Sequence, residues 1–407
     1  MRPTRKRIIV DGVDFGQLVR FPMIFRAVTS AMQPPRILIA LACIMLLAAG
    51  GRSWDAIAGA REIDSPSITG DVTTTIERAA YDHAVMMKAT AFEHIARGFV
   101  TLDVDRMLFG GRMLAGMPGR MWTYHPVFVV IFGLYALLLC SVFGGALCRM
   151  SACQNAQQER LRIGDAFRFV RESVFSLVAA PLLPLVSIAI VGVVLMIPGL
   201  LMAIPGLEVI GSLLYGLALV LGLLLALLII GYAIGFPMLI PAVACERCTA
   251  SDAMQRAYAY VIQRPLHVIG YFAVAMIGLI VGFGIVSLVA TVTLQVTALF
   301  YGLFAPEDSV MRFAGDATFL QVSRPDAVPS AEMTASLWFI RFWEGLVQAI
   351  VIAYLGGYFF AASTISYLLV RRSCDGQDVD EIWQPGQTPG SLAPRPTMSV
   401  VRTEDAA

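Results

Sequence analysis

The sequence predicts an all-α integral membrane protein with six transmembrane helices. Three observations carry this. Six apolar runs are long enough to cross a bilayer, with mean hydropathy +0.73 for the whole chain. Only 14% of the 407 residues are charged, against about 25% in ordinary soluble chains. Basic residues gather in alternate short connections, as they do on the cytoplasmic side of membrane proteins. The net charge of +1 gives no general case for nucleic acid as a partner.

The elements follow in order. Residues 1–36 form a cytoplasmic N-terminal segment with seven Arg or Lys residues. It contains "DFGQLVRFPMIFRAV" (14–28), an interfacial-helix candidate interrupted by Pro22. The segment lacks the apolar core and small-residue cleavage site of a signal peptide, so the first span is expected to direct insertion. The spans are read at 37–51, 126–148, 175–202, 209–237, 268–293 and 339–370. Each must satisfy its own backbone polar groups in hydrocarbon, which makes each a helix. Residues 52–121 are expected to be an extracytoplasmic helical domain, with one long amphipathic helix from about Asp71 to Phe99 along Ile76, Ala80, Ala84, Met87, Ala91 and Ile95. The 304–337 loop lies on the same side. The tail 371–407, polar and rich in Pro and Gly, is expected to be cytoplasmic and disordered, with Trp383 as a contact to the membrane surface.

Orientation rests on the short flanks. Arg149, Arg160, Arg162, Arg168 and Arg171 follow span two; Arg247, Arg256 and Arg264 follow span four; Arg371 and Arg372 end span six. The 304–337 loop holds Arg312 and Arg324 against five acids. Both termini are therefore expected in the cytoplasm, in a cytoplasmic (inner) membrane. Trp122, Tyr124, Trp338, Phe339, Phe342 and Trp343 are expected to form an outer aromatic belt.

A unit recurs. "DAFRFVRESVF" (165–175) aligns with "DAMQRAYAYVI" (252–262). Asp165 and Asp252 stand at helix starts, where a carboxylate suits the helix dipole, and Ser251 is the expected N-cap of the second copy. The copies place 149–174 and 245–266 as cytoplasmic amphipathic helices in a repeated helix-and-hairpin unit. Pro181, Pro184, Pro237 and Pro241 are expected to break the spans beside them. Gly231/Gly235, Gly278/Gly282 and Ala353/Gly357/Ala361 have the small-residue spacing that lets helices approach, although chance in a Gly-rich chain gives the same pattern.

Candidate chemistry is sparse. Cys148, Cys153, Cys245 and Cys248 lie at the cytoplasmic ends of spans two and four. They are the weak candidates for a four-thiolate zinc site, or for a redox pair in "CERC", against a bland reading as small apolar residues. His83 and His94 are eleven residues apart, which returns them to one helix face, but further ligands would be needed for a metal. Arg341 and Glu344 are spaced to pair within span six. No acid or His lies deep in a span, which counts against proton or ion coupling. No H-E-x-x-H, G-x-S-x-G or Walker A pattern is present, and the chain is read as not an enzyme and without a cofactor.

"FRAVTSAMQPPRILIALA", "ALCRMSACQNAQQERLRIGDAFRFVRE", "ERCTASDAMQRAYAYVIQRP" and "YLLVRRSCDGQDVDEIW" together resemble an uncharacterised family of multi-pass membrane proteins associated with planctomycete bacteria. The stretch from Glu246 to Pro265 is more remotely similar to the membrane domain of bacterial glycerophosphodiester phosphodiesterases. There, a short segment precedes a cytoplasmic amphipathic helix between spans. No catalytic phosphodiesterase domain accompanies it here, so the resemblance implies no activity.

Three functions are weighed. The first is a non-enzymatic scaffold or accessory protein that organises lipid or partner proteins through residues 52–121, the interfacial helices and the tail. The second is a transporter or lipid-handling permease for a neutral or lipid-like substrate, with Ser187, Ser287, Thr291, Thr293, Gln348, Ser363 and Thr364 as its polar lining. The third is a zinc- or thiol-dependent membrane protein.

Overall fold

The computed structural model describes residues 21–58, 61–66, 72–77, 80–101, 103–303 and 335–390. A short 3-10 turn, Phe21–Phe25, leads into α1 (Arg26–Ala31); most of the N-terminal interfacial-helix candidate lies outside the described residues. Six helices are long and apolar enough to span a membrane: α2 (Pro34–Ala58), α5 (Pro126–Gln157), α6 (Ile163–Met202), α8 (Tyr215–Glu246), α10 (Pro265–Gly302) and α11 (Ala335–Asp375). The chain is thus an all-α, multi-pass membrane protein. Its one departure among the described residues is an antiparallel hairpin, β1 (Arg61–Pro66) with β2 (Val72–Glu77). The remaining helices are α3 (Ala80–Thr101), α4 (Val104–Tyr124), α7 (Glu208–Leu213) and α9 (Ala250–Gln263).

The chain divides into two compact units. One comprises Met1–Ala31, Cys148–Leu279 and Tyr358–Ala407; the other comprises Met32–Leu147 and Ile280–Gly357.

Two expectations at the prolines are corrected. Pro181, Pro184 and Pro198 lie inside α6, and Pro237 and Pro241 lie inside α8, yet both helices run on. Each proline removes one donor. In hydrocarbon, breaking the helix would strand several more, so the helix continues. The first repeat copy is consequently not a separate interfacial helix: 163–175 is the first part of α6, and 149–157 is the end of α5. Only the second copy stands alone, as α9. Its N-cap is Thr249 rather than Ser251, with Asp252 completing a reciprocal capping box. Arg247, in the left-handed region at φ 51°, ends α8. The Cys-x-x-Cys pair therefore spans an elbow between two helices.

In the first unit α6 and α8 lie side by side and α9 packs on both. The Gly231/Gly235 pair serves this packing. A Cβ on Gly231 would meet the Tyr258 ring at 2.5 Å, and Ala257 sits beside Gly235. The Tyr258 hydroxyl donates to the Leu228 carbonyl at 2.8 Å. Gly278 likewise admits Tyr358, whose hydroxyl donates to the Ala275 carbonyl at 2.7 Å. Ala353, Gly357 and Ala361 are all buried.

In the second unit the expected helix over 71–99 begins only at Ala80, because Val72–Glu77 is strand. Its start is held by Asp55, whose carboxylate accepts from the Tyr81 and Asp82 amides at 2.9 and 3.0 Å, satisfying donors that a helix end leaves open. Trp54, Tyr81, Phe128 and Phe132 form an aromatic cluster, and the Tyr135 hydroxyl donates to the Leu46 carbonyl at 2.8 Å. Helices α3 and α4 pack together with Asp103 as the N-cap of α4. Gly110 permits their approach, since a Cβ there would lie 2.6 Å from the Ala91 carbonyl oxygen. Gly110→Ala is expected to cost about 1–3 kcal/mol by overpacking, although alanine is the better helix former by about 1 kcal/mol. Gly111→Ala, next to it in open space, should instead stabilise. Thermal unfolding of the two variants in detergent checks the pair; equal shifts would mean that the α3–α4 contact is loose.

Trp122, Tyr124, Phe339, Phe342 and Trp343 are exposed. The side chains of Trp338 and Arg341 lie outside the described residues.

Candidate functional site: a buried charge cluster closed by the C-terminal segment

The densest chemistry in the first unit surrounds Glu246, the last residue of α8. Its side chain is 0% exposed. One carboxylate oxygen accepts from the Tyr367 hydroxyl and from Arg371 Nη1, the latter at 3.4 Å; the other pairs with Arg256 of α9. Arg371 is also fully buried, and its other terminal nitrogen donates to the carbonyls of Asp378 and Glu381 at 2.9 and 2.5 Å. The Tyr260 hydroxyl donates to Asp375. Burial and then that carboxylate hold the Tyr260 phenol well above its ordinary range.

The segment after α11 closes the cluster. Residues 376–390 were expected to belong to a disordered tail, but they pack against the unit, with Val379, Ile382 and Trp383 buried. The Trp383 amide donates to the Cys245 carbonyl at 2.8 Å, and the Gly390 amide to that of Glu246 at 3.1 Å. Buried Arg149 donates to the Ala244 and Trp383 carbonyls at 3.1 and 2.8 Å. The Trp383 ring lies beside two guanidiniums, 5.4 Å from Arg149 and 4.6 Å from Arg247, and neighbours the Phe169 ring. Trp383 thus contacts the protein interior rather than the membrane surface. The physical reason is that buried guanidiniums need acceptors, and this segment supplies backbone carbonyls and an aromatic face. Residues 391–407 lie outside the described set.

The predicted site residues fare differently. Cys148, Cys153, Cys245 and Cys248 are all buried in this unit. The Cys148 thiol donates to the Phe360 carbonyl at 3.7 Å. Among the described residues no three His, Cys, Asp or Glu side chains gather as metal ligands. Burial, and then the nearby Glu246, push the Cys248 thiol up to about 12, against about 8.5 for an unfolded chain. The folded protein keeps this proton where the unfolded chain has lost it. The thiol's stabilising contribution is therefore complete below about pH 8.5 and declines as pH rises towards 12. Cys248→Ala is expected to flatten the alkaline loss of stability between about pH 9 and 12; an unchanged slope would assign that loss to other groups. A thiol held neutral is also a poor nucleophile.

His83 faces Tyr124 and His125, whereas His94 lies edge-on to Phe109, so each histidine meets aromatic neighbours of its own. Three of the polar residues proposed as a lining are engaged within their own helices: Ser187, Thr293 and Thr364 each donate to a carbonyl there. A groove of about 580 Å³ runs between α6, α7 and α8 instead, and its walls include Leu195, Pro198, Met202, Gly211, Tyr215 and Leu219. It is apolar.

In the sequence Arg149 and Arg371 read only as flanking charges, Glu246 only as the start of a stretch with a remote resemblance, and nothing marks Tyr260 or Tyr367. The one signal was the position of the charges: an acid ending an apolar helix and an Arg directly after another are costly unless they meet.

The fold and this cluster define a multi-pass, all-α membrane protein with an internally paired polar core at one set of helix ends. No protein-family model, curated protein or solved structure significantly matches the chain.

Proposed function

We propose that the chain is a non-enzymatic scaffold or accessory protein of the cytoplasmic (inner) membrane, with both termini cytoplasmic. The observation that carries this is the Glu246 cluster. Its buried charges are engaged by the chain's own side chains and by the carbonyls of 376–390, an arrangement that holds helix ends together as a fixed platform. Partner proteins would engage residues 52–121. Cross-linking in cells from a cysteine at Gly111, which is exposed on α4, tests the reading. Recovery of a defined membrane partner is expected; recovery of none, with the protein abundant, would count decisively against a scaffold. Labelling by an impermeant maleimide should reach a cysteine at Gly111 but not one at Gln158 in intact cells, and the reverse pattern would invert the topology.

The apolar groove at Pro198, Met202 and Tyr215 favours a second reading, a permease for a lipid-like substrate. Liposomes carrying the protein would then move a fluorescent lipid between leaflets faster than empty ones. Equal rates would discard that reading.

A further inference from the structure

The outward face of α6 changes character along its length. Ala166, Phe169, Val170, Ser173 and Leu177 are buried on one side. On the opposite side, at spacings of three and four that share a helix face, stand Arg168, Arg171 and Phe175. All three are exposed, Phe175 to 88%. Beyond Phe175 the same face is aliphatic, with Val186 and Val193 exposed. Arginine, then an aromatic ring, then aliphatic side chains is the order met on crossing from the headgroup layer into hydrocarbon.

The charge on this face is positive. Arg168 and Arg247 share Glu172 at 3.6 and 3.1 Å, while Arg171 has no ion pair among the described residues. The only other acid on the exposed part of α6 is Asp165, in its first turn. Arginine is suited to phosphate because its planar fork gives two parallel hydrogen bonds. Of the chain's 30 basic residues only Lys6 and Lys88 are lysines.

We propose that Arg168, Arg171 and Phe175 form a binding surface for anionic phospholipid headgroups of the bilayer. The guanidiniums hold phosphates while Phe175 enters the acyl region. This rests on the membrane-scaffold reading and names the lipid class it would organise.

The test uses the full chain in nanodiscs of phosphatidylcholine alone, or of equal parts phosphatidylcholine and phosphatidylglycerol. Retained lipid is counted by native mass spectrometry, and thermal unfolding is followed in parallel. Phosphatidylglycerol is expected to be retained selectively and to raise the unfolding midpoint. Arg168→Gln with Arg171→Gln should reduce that retention about fivefold for each arginine removed. The double lysine variant, which keeps charge but not the fork, should fall between. Equal retention of both lipids by the wild type overturns the proposal, as does a double Gln variant that behaves like wild type. A Phe175→Cys variant that cross-links to a second copy would also overturn it, by showing that protein covers this face. Partner recovery through Gly111 is independent of all these outcomes, so failure here is distinguishable from failure of the scaffold reading.

Discussion

Replacing Glu246 by alanine is expected to destabilise the protein by about 3–5 kcal/mol, the cost of breaking a buried ion pair by removing one member. The carboxylate is the counter-charge of Arg371, which is fully buried, and of Arg256, which is half-buried. It also takes the Tyr367 hydroxyl. Without it Arg371 keeps only its two carbonyl acceptors, and a guanidinium charge is left in a poorly solvated place. Glutamine keeps an acceptor for Tyr367 but not the charge, so Glu246→Gln should lose somewhat less. Adding Arg371→Met to Glu246→Gln should recover part of the loss, because an apolar pair of similar size avoids the burial of charge. Thermal unfolding of the four proteins in one detergent decides the matter. If the double variant is no more stable than Glu246→Gln, the two side chains are not coupled as described.

Trp383→Ala is the second large effect. Truncating a buried Trp costs about 3–5 kcal/mol, and here it also removes the ring beside Arg149 and Arg247. The segment 376–390 should detach locally before the spans unfold, since its hold on α8 is a few hydrogen bonds and this ring. Cys245, fully buried and bonded through its carbonyl to the Trp383 amide, reports that opening. Its alkylation by N-ethylmaleimide is expected to accelerate about a hundredfold if roughly 3 kcal/mol is lost locally. Trp383→Phe, which retains an aromatic face, should show a much smaller change. Unaltered alkylation in the alanine variant would mean that 376–390 is held by other contacts.

The extent to which the sequence foretold this structure depends on what each feature rests on. The spans follow from composition alone, because twenty apolar residues in lipid have helix as their only means of satisfying the backbone. Their ends were misjudged at Pro181, Pro184, Pro237 and Pro241, where a rule drawn from water was applied to helices in hydrocarbon. By residue type alone Ser251 is the better cap than Thr249. Thr249 wins because Asp252 stands three positions later and completes the box.

The sequence by itself determined that the chain crosses a membrane six times and that α9 is amphipathic, since each is a property of a contiguous stretch. The tertiary structure alone decided that Arg149, Glu246, Tyr260, Arg256, Tyr367, Arg371 and Trp383 belong together. They come from positions up to 234 residues apart. Any one of them, read locally, is an ordinary flank residue; only burial turns a flanking charge into one that must find its partner.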